Sequence, residues 1–159
     1  MILTTSRPDL TLRQLTPVDA AMLYDLIHSN HTHLTAHGDY SAQVASSIEA
    51  IAAELSTGDQ STRFGIFHDA ALIGRVDLVA VELPRYCLGY WLSASHTGQG
   101  FATAAVQAAI EYAFNQSAAK DIFAGVTHGN DRSVALLRRL GFDAIKQFET
   151  YTRFHLAKQ

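Results

Sequence analysis

Polar and apolar positions alternate near the start of the chain. "DLTLRQLT" sets Leu10 and Leu12 two residues apart, with Leu15 out of step at the end, and predicts a first strand. "TPVDAAMLYDLIHSN" then changes to a helical period. Thr16 suits an N-cap, Pro17 the first helical position and Asp19 the first turn, and Ala21, Leu23, Leu26 and Ile27 supply an apolar stripe. "NHTHLTAHGDYS" keeps neither period and predicts a loop or short turns. "AQVASSIEAIAAEL" predicts a second helix with Val44, Ile48, Ile51 and Leu55 on one face.

Strand patterns follow. "TRFGIFH" and "ALIGRVDLVAVEL" flank "DA" as a hairpin, and the aromatic-rich "RYCLGYWLS" predicts a further strand. A helix over residues 101–115 buries Val106, Ile110 and Phe114. "DIFAGVTH" is a strand, "NDRSVALLRRLG" a helix closed by Gly141, and "FDAIKQFETYTRFHL" a last extended region. The order β-α-α-β-β-β-α-β-α-β predicts an α/β (α+β) domain over 1–159, one mixed sheet with helices on both faces.

Composition narrows the function classes. The chain has 159 residues, 48% apolar and 17% charged, enough for a core without metal or disulfides. Twelve basic and fifteen acidic residues leave a formal charge of −3, so no basic footprint points to nucleic acid. No apolar run reaches the length of a membrane span and no signal pattern opens the chain. Cys87, the one cysteine, has no intrachain partner, so a reducing, cytoplasmic setting is expected.

The chemistry concentrates in "SHTGQGFATAAV". Gly98 and Gly100 stand where a strand gives way to a helix. A helix N-terminus presents unpaired N–H groups and partial positive charge, and glycines ahead of it let an anion approach the backbone. The same spacing serves equally a turn that merely joins strand to helix. A nucleoside-triphosphate loop needs the Gly-Lys-Ser/Thr ending that "GQGFAT" lacks. A dinucleotide fingerprint needs Gly or Ala where Thr103 stands, and an acidic residue at the far end of the next strand, whereas Asp121 begins it.

From "LIGRVDLVAVE" through "LGYWLSASHTGQGFATAAVQAAIEYAF" to "NDRSVALLRRLGF", the chain resembles the GNAT acyl-CoA N-acyltransferases, and most of all their ribosomal-protein-alanine N-acetyltransferase branch. The resemblance spans residues 72–142 and implies a mostly antiparallel central sheet that binds acetyl-CoA. It implies that the turn cradles the CoA pyrophosphate with backbone N–H groups from Gly98, Gln99, Gly100, Phe101, Ala102 and Thr103. Thr97 replaces a Gln or Arg usual in the family. The strand "GYWLS" should splay from "FAGVT" to admit the pantetheine arm, with an N–H at Trp91 or Leu92 polarising the thioester carbonyl.

The resemblance also implies that Asn130 binds pantetheine or orders a water, a role compatible with capping the last helix. It offers Ser133 as the thiolate's proton donor, because the alternative tyrosine position is Leu137. Relatives carry Glu where Cys87 stands. The thiol is read as inert, and the base is left open among water, Glu82, Asp77 and a histidine. The histidines form no metal-ligand spacing, so no metal is expected. The segment between the first two helices walls the acceptor site in resembling folds, which makes His31, His33, His37 and Tyr40 candidate acceptor contacts. Arg138 and Arg139 read as cations complementing a helix C-terminus, and Arg132 as the better phosphate candidate.

The implied activity is direct acetyl transfer from acetyl-CoA to a primary amine, with a protein N-terminus as one acceptor. A small-molecule amine (amino acid, polyamine or antibiotic), or a CoA-binding module whose catalysis has decayed, stands as the alternative. A homodimer is expected from the resemblance alone.

Overall fold

The computed structural model describes residues 1–36, 40–56 and 58–159. A short strand, β1 (Ile2–Thr4), pairs with β2 (Leu10–Gln14); three residues are too few to show a period in the sequence. Leu10 and Leu12 enter one face of the sheet, and Leu15, one residue out of step, enters the other.

A helical turn over Pro17–Asp19 leads into α1 (Ala20–Ser29). Its start is fastened at the two residues singled out in the sequence, but by the Asp19 side chain, which accepts from the Thr16 N–H at 2.9 Å. Arg13 reinforces that carboxylate with two bonds of 3.1 and 3.2 Å. The next segment contains α2 (His31–Thr35) and α3 (Ser41–Val44) before α4 (Ile48–Leu55). The single helix predicted over 42–55 is therefore broken. Ser47 is extended, and its hydroxyl accepts from the Ala50 N–H at 3.1 Å, so this serine starts a new helix instead of continuing one. Ile48 is exposed as a result, whereas Val44 and Ile51 are buried.

The β-rich part follows with β3 (Thr62–His68), β4 (Ala71–Glu82) and β5 (Arg85–Leu92). The two-residue turn between β3 and β4 falls on "DA", with Asp69 at φ 56°. Then come α5 (Phe101–Gln116), β6 (Asp121–Thr127), α6 (Asp131–Arg139), β7 (Asp143–Gln147) and β8 (Tyr151–Ala157). The last extended region is thus an antiparallel pair of strands rather than one.

Among the described residues, eight strands form one sheet in the order β1-β2-β3-β4-β5-β6-β8-β7. All neighbours are antiparallel except β5 beside β6. The mixed, mostly antiparallel sheet and the helices on both faces match the expected class. One core lies between the sheet and the helices α5 and α6, where Val106, Ile110, Leu136 and Leu137 meet Phe64, Val76 and Ile122. The other gathers Leu23, Ile27, Leu34, Val44 and Ile51 from α1 to α4 against Trp91.

A buried ion group ties α4 to the sheet. Arg75, 2% exposed, donates to Asp77 at 2.8 Å and to Glu54 of α4. Burial pushes the Asp77 carboxyl above its ordinary range, against the pull of Arg75. Among the described residues no helix is long and apolar enough to cross a membrane.

Candidate functional site

The parallel pair at the centre of the sheet is short. β5 and β6 pair only at Arg85–Asp121, Tyr86–Ile122 and Cys87–Phe123. Beyond Cys87 they separate, because β5 stays registered on β4 to Leu92 while β6 stays on β8 to Thr127. Each strand is held on its outer side, so the backbone groups of residues 88–92 that point inward face a gap.

Alternation along β5 says which groups those are. The Ser93 N–H donates to the Ile73 carbonyl on the β4 side at 2.7 Å. Trp91 shares that direction, so its N–H belongs to the β4 ladder, and Leu92 and Tyr90 point the other way. In agreement, the Tyr90 carbonyl accepts a hydrogen bond from Tyr40 in the segment between α2 and α3. Of the two N–H groups raised by the sequence, Leu92 has the one that faces the gap. The Trp91 side chain is committed to the opposite core, its indole donating to Gln43 at 3.1 Å.

The gap opens at the end of β5 where the glycine turn begins. After a helical turn over Ala94–His96, Gly98 and Gly100 take φ of 77° and 81°, and α5 starts. Gly100 brings no capping side chain, and Ala104 is the first residue of α5 whose N–H returns to the turn, to Gly100 at 3.2 Å. The N–H groups of Phe101, Ala102 and Thr103 precede that bond and are the orphan donors of the helix start. A Cβ on Gly98 would meet nothing within 4 Å.

Arg7, from the loop between β1 and β2, braces the turn from behind. Its Nη1 donates to the Gln99 carbonyl at 2.7 Å, and its guanidinium lies 4.3 Å from the centre of the Phe101 ring. Because a trans peptide points its carbonyl and N–H in opposite directions, drawing the Gln99 carbonyl toward Arg7 turns the Gly100 N–H away from it.

Gap and turn join in one cleft of about 800 Å³. Trp91, Leu92, Thr97, Gly98, Gly100, Ala102, Thr103, Asn130 and Ser133 line it, as do His33 and Tyr40. The Gln99 and Phe101 side chains are elsewhere. Gln99 folds back on the Ser95 carbonyl at 3.3 Å and Phe101 is 2% exposed in the core, which leaves their backbone N–H groups as what they can offer. His31 is exposed and outside the cleft, and His37 lies outside the described residues.

Asn130 caps α6, its Oδ1 accepting from the Ser133 N–H at 3.4 Å, and its amide nitrogen is left for other partners. Arg139 stands in the last turn of α6, as the sequence implies, and has a further contact there. It lines the cleft and donates to the Thr103 hydroxyl at 2.9 Å, joining the end of α6 to the start of α5. Arg138 instead lies over Phe154, and Arg132 lines the cleft with Asp131.

Three residues considered as chemical groups fall away from the cleft. Asp77 is engaged by Arg75 beneath α4, and Glu82 pairs with Arg85 at the opposite end of β5. Cys87 stands half-buried at the last paired position, where burial raises its thiol pKa against the influence of Arg153.

Comparison with known proteins follows the same outline. Residues 9–143 match a family model described as "Acetyltransferase (GNAT) domain". The probable N-acetyltransferase YjcK of Bacillus subtilis (strain 168) is 37% identical over 89 residues, 53% of this chain and 49% of that protein, so the match spans about half the relative's length. The putative ribosomal N-acetyltransferase YdaF of the same organism is 28% identical over 143 residues, covering 84% of this chain and 77% of its own. Among solved structures, RimL, a ribosomal L7/L12 alpha-N-protein acetyltransferase in complex with coenzyme A, superposes with a TM-score of 0.85 over 99% of this chain and 98% of its own, at 18% identity.

Proposed function

The chain belongs to the GNAT acetyltransferase family, and on that premise we propose that it moves the acetyl group of acetyl-CoA directly onto a primary amine, with a protein N-terminus as the acceptor. The observation that carries this reading is the continuity of two features in one cleft: a strand gap with inward backbone groups, and an uncapped helix start beside it.

Each part of acetyl-CoA has a place there. The pyrophosphate rests on the donors of Gly100, Phe101, Ala102 and Thr103, with Arg139 supplying the cation that Thr97 does not. The pantetheine arm lies between residues 88–92 and 124–127, adding itself as a strand. The Leu92 N–H faces the thioester oxygen and stabilises the charge that develops on it. The Asn130 amide orders the arm or a water, and Ser133 stands near the leaving sulfur. The amine enters past His33 and Tyr40. With Asp77 and Glu82 occupied elsewhere, its proton leaves to His33 or to water.

A protein N-terminus is preferred because YdaF and RimL carry ribosomal names and cover most of this chain. Calorimetric titration with acetyl-CoA beside ATP and NAD tests the cofactor, and CoA release with alanine- and serine-leading peptides against free amino acids and polyamines tests the acceptor. Selective acetyl-CoA binding with release on peptides is expected. Binding without release on any amine would leave a CoA-binding module, and no binding would end the reading.

Arg7 gives a second check. Arg7→Met removes one charged hydrogen bond, worth about 1.5–3 kcal/mol in general, so acetyl-CoA affinity should fall about tenfold. Turnover of acetyl-pantetheine, which has no pyrophosphate, should not change. Equal losses on both substrates would mean that Arg7 does not act through the turn.

A further inference from the structure

Tyr90 lies in the diverging part of β5, and three observations set it apart. Its ring packs against the core beneath α5 and α6 and lines the cleft. Its carbonyl is fixed by Tyr40. Its hydroxyl is buried and, among the described residues, makes no hydrogen bond of good geometry. A buried hydroxyl without a partner is a standing energetic loss, tolerated chiefly where the group has work to do. Burial also raises the phenol's pKa, and the Ser133 side chain is close enough to oppose that rise, so the group is protonated at neutral pH.

Ser133 by itself is poorly suited to protonate a thiolate. An alkyl hydroxyl is a far weaker acid than a thiol, so any proton it gives must be replaced in the same motion. A phenol, with an ordinary pKa of about 10 against about 8.5 for a thiol, is much nearer the match. α6 brings no tyrosine to the cleft, since Leu137 is fully buried in the core. β5 brings one from the other side of the gap.

We propose that Tyr90, acting through the Ser133 hydroxyl, supplies the proton taken up by the departing CoA thiolate. The inference rests on the reading of the cleft as the acetyl-CoA site. When the tetrahedral intermediate collapses, the C–S bond breaks and its electron pair goes to sulfur. Ser133 gives its proton to that sulfur and takes one from Tyr90, and the buried phenolate recovers a proton back through the Ser133 hydroxyl, which takes it from water in the cleft. The acceptor nitrogen gives up one proton overall, so the balance is one proton lost by the amine and one gained by the thiol. Tyr90 is a positioning residue in this scheme, and the bonds it needs tighten when the ligand fills the gap.

Tyr90→Phe tests it on three readouts. With acetyl-CoA and an alanine-leading tripeptide as the probe amine, kcat should fall about 10- to 100-fold, at the low end of acid–base contributions, while KM for acetyl-CoA stays within about threefold. Tm should hold or rise, because the variant loses an unpartnered buried hydroxyl. The pKa of bound CoA's thiol, followed by thiolate absorbance with desulfo-CoA as the blank, should rise, since the thiolate loses its hydrogen-bonded support; this needs no acceptor. Ser133→Ala should reproduce the kcat loss, and the double variant should add little to either.

A kcat within twofold of wild type with an unmoved thiol pKa would overturn the proposal, and so would a kcat loss matched by a fall in Tm. Full Tyr90→Phe activity alongside CoA binding removes only this inference. A wild-type protein that does not bind CoA removes the reading of the cleft, and the inference with it.

Discussion

Gly74→Ala is expected to lower Tm by about 10 °C, on a destabilisation of about 3 kcal/mol at the upper end of overpacking costs. A Cβ at this point of β4 would stand 2.3 Å from the Trp91 carbonyl oxygen, 2.9 Å from a Leu92 methyl and 3.1 Å from the Leu92 Cα. Two of those three atoms are backbone, so no rotamer change relieves the contact, and β5 must move away from β4. The segment displaced carries the Leu92 N–H, so whatever protein remains folded should also turn over acetyl-CoA slowly. Gly89, on β5 itself, is the control. A Cβ there meets nothing within 4 Å, and Gly89→Ala should melt near wild type. Thermal unfolding of both variants decides the matter, and equal Tm values would mean that the β4–β5 ladder has slack the structure does not show.

The second large effect is the loss of acetyl-CoA binding in Gly100→Val, by a factor of about a hundred or more. The added Cβ would find ordinary space, with Arg7 Nη1 at 3.7 Å as its nearest neighbour. The harm comes from φ of 81°, a region that a β-branched residue rarely enters. Relief requires the turn to rotate, which costs about 1–2 kcal/mol if refused and, if accepted, re-aims the donors of Ala102 and Thr103 and pushes Arg7 off the Gln99 carbonyl. Calorimetry with acetyl-CoA measures this directly, and circular dichroism establishes that α5 survives. Binding within threefold of wild type would mean that the glycines serve only to turn the chain.

Elements whose side chains repeat over several turns or strand positions are legible in the sequence. Val106 and Ile110 on α5, and Leu10 with Leu12 on β2, are buried as their spacing implies. Periodicity misleads where one polar side chain outvotes it. Ser47 satisfies the first turn of α4 and divides an otherwise continuous apolar stripe. The glycine turn and Asn130 were legible because their chemistry is local: a positive φ and a cap each need a particular residue at one place. Arg7, Tyr90 and Arg139 were not, since their partners lie far along the chain. Arg7 meets Gln99 at 92 residues' separation and Arg139 meets Thr103 at 36, and no local pattern encodes such pairs. The orphan hydroxyl of Tyr90 is a property of packing alone.

The parallel pairing of β5 with β6 also constrains how this protein can change length. Parallel neighbours need a crossover, and α5 is that crossover, leaving the open end of the gap and returning to the paired end. Its sixteen residues at about 1.5 Å each span about 24 Å, close to the eight residues of β5 at about 3.3 Å each. The helix is therefore a ruler cut to the strand. A residue inserted in α5 would slide the start of β6 against Arg85 or twist the helix face away from the core, and either shift moves the point where the strands part. The turn at Asp69 and Ala70 spans no such measured distance. Lineages of this fold should gather their insertions there, and keep α5 at constant length even where its sequence drifts.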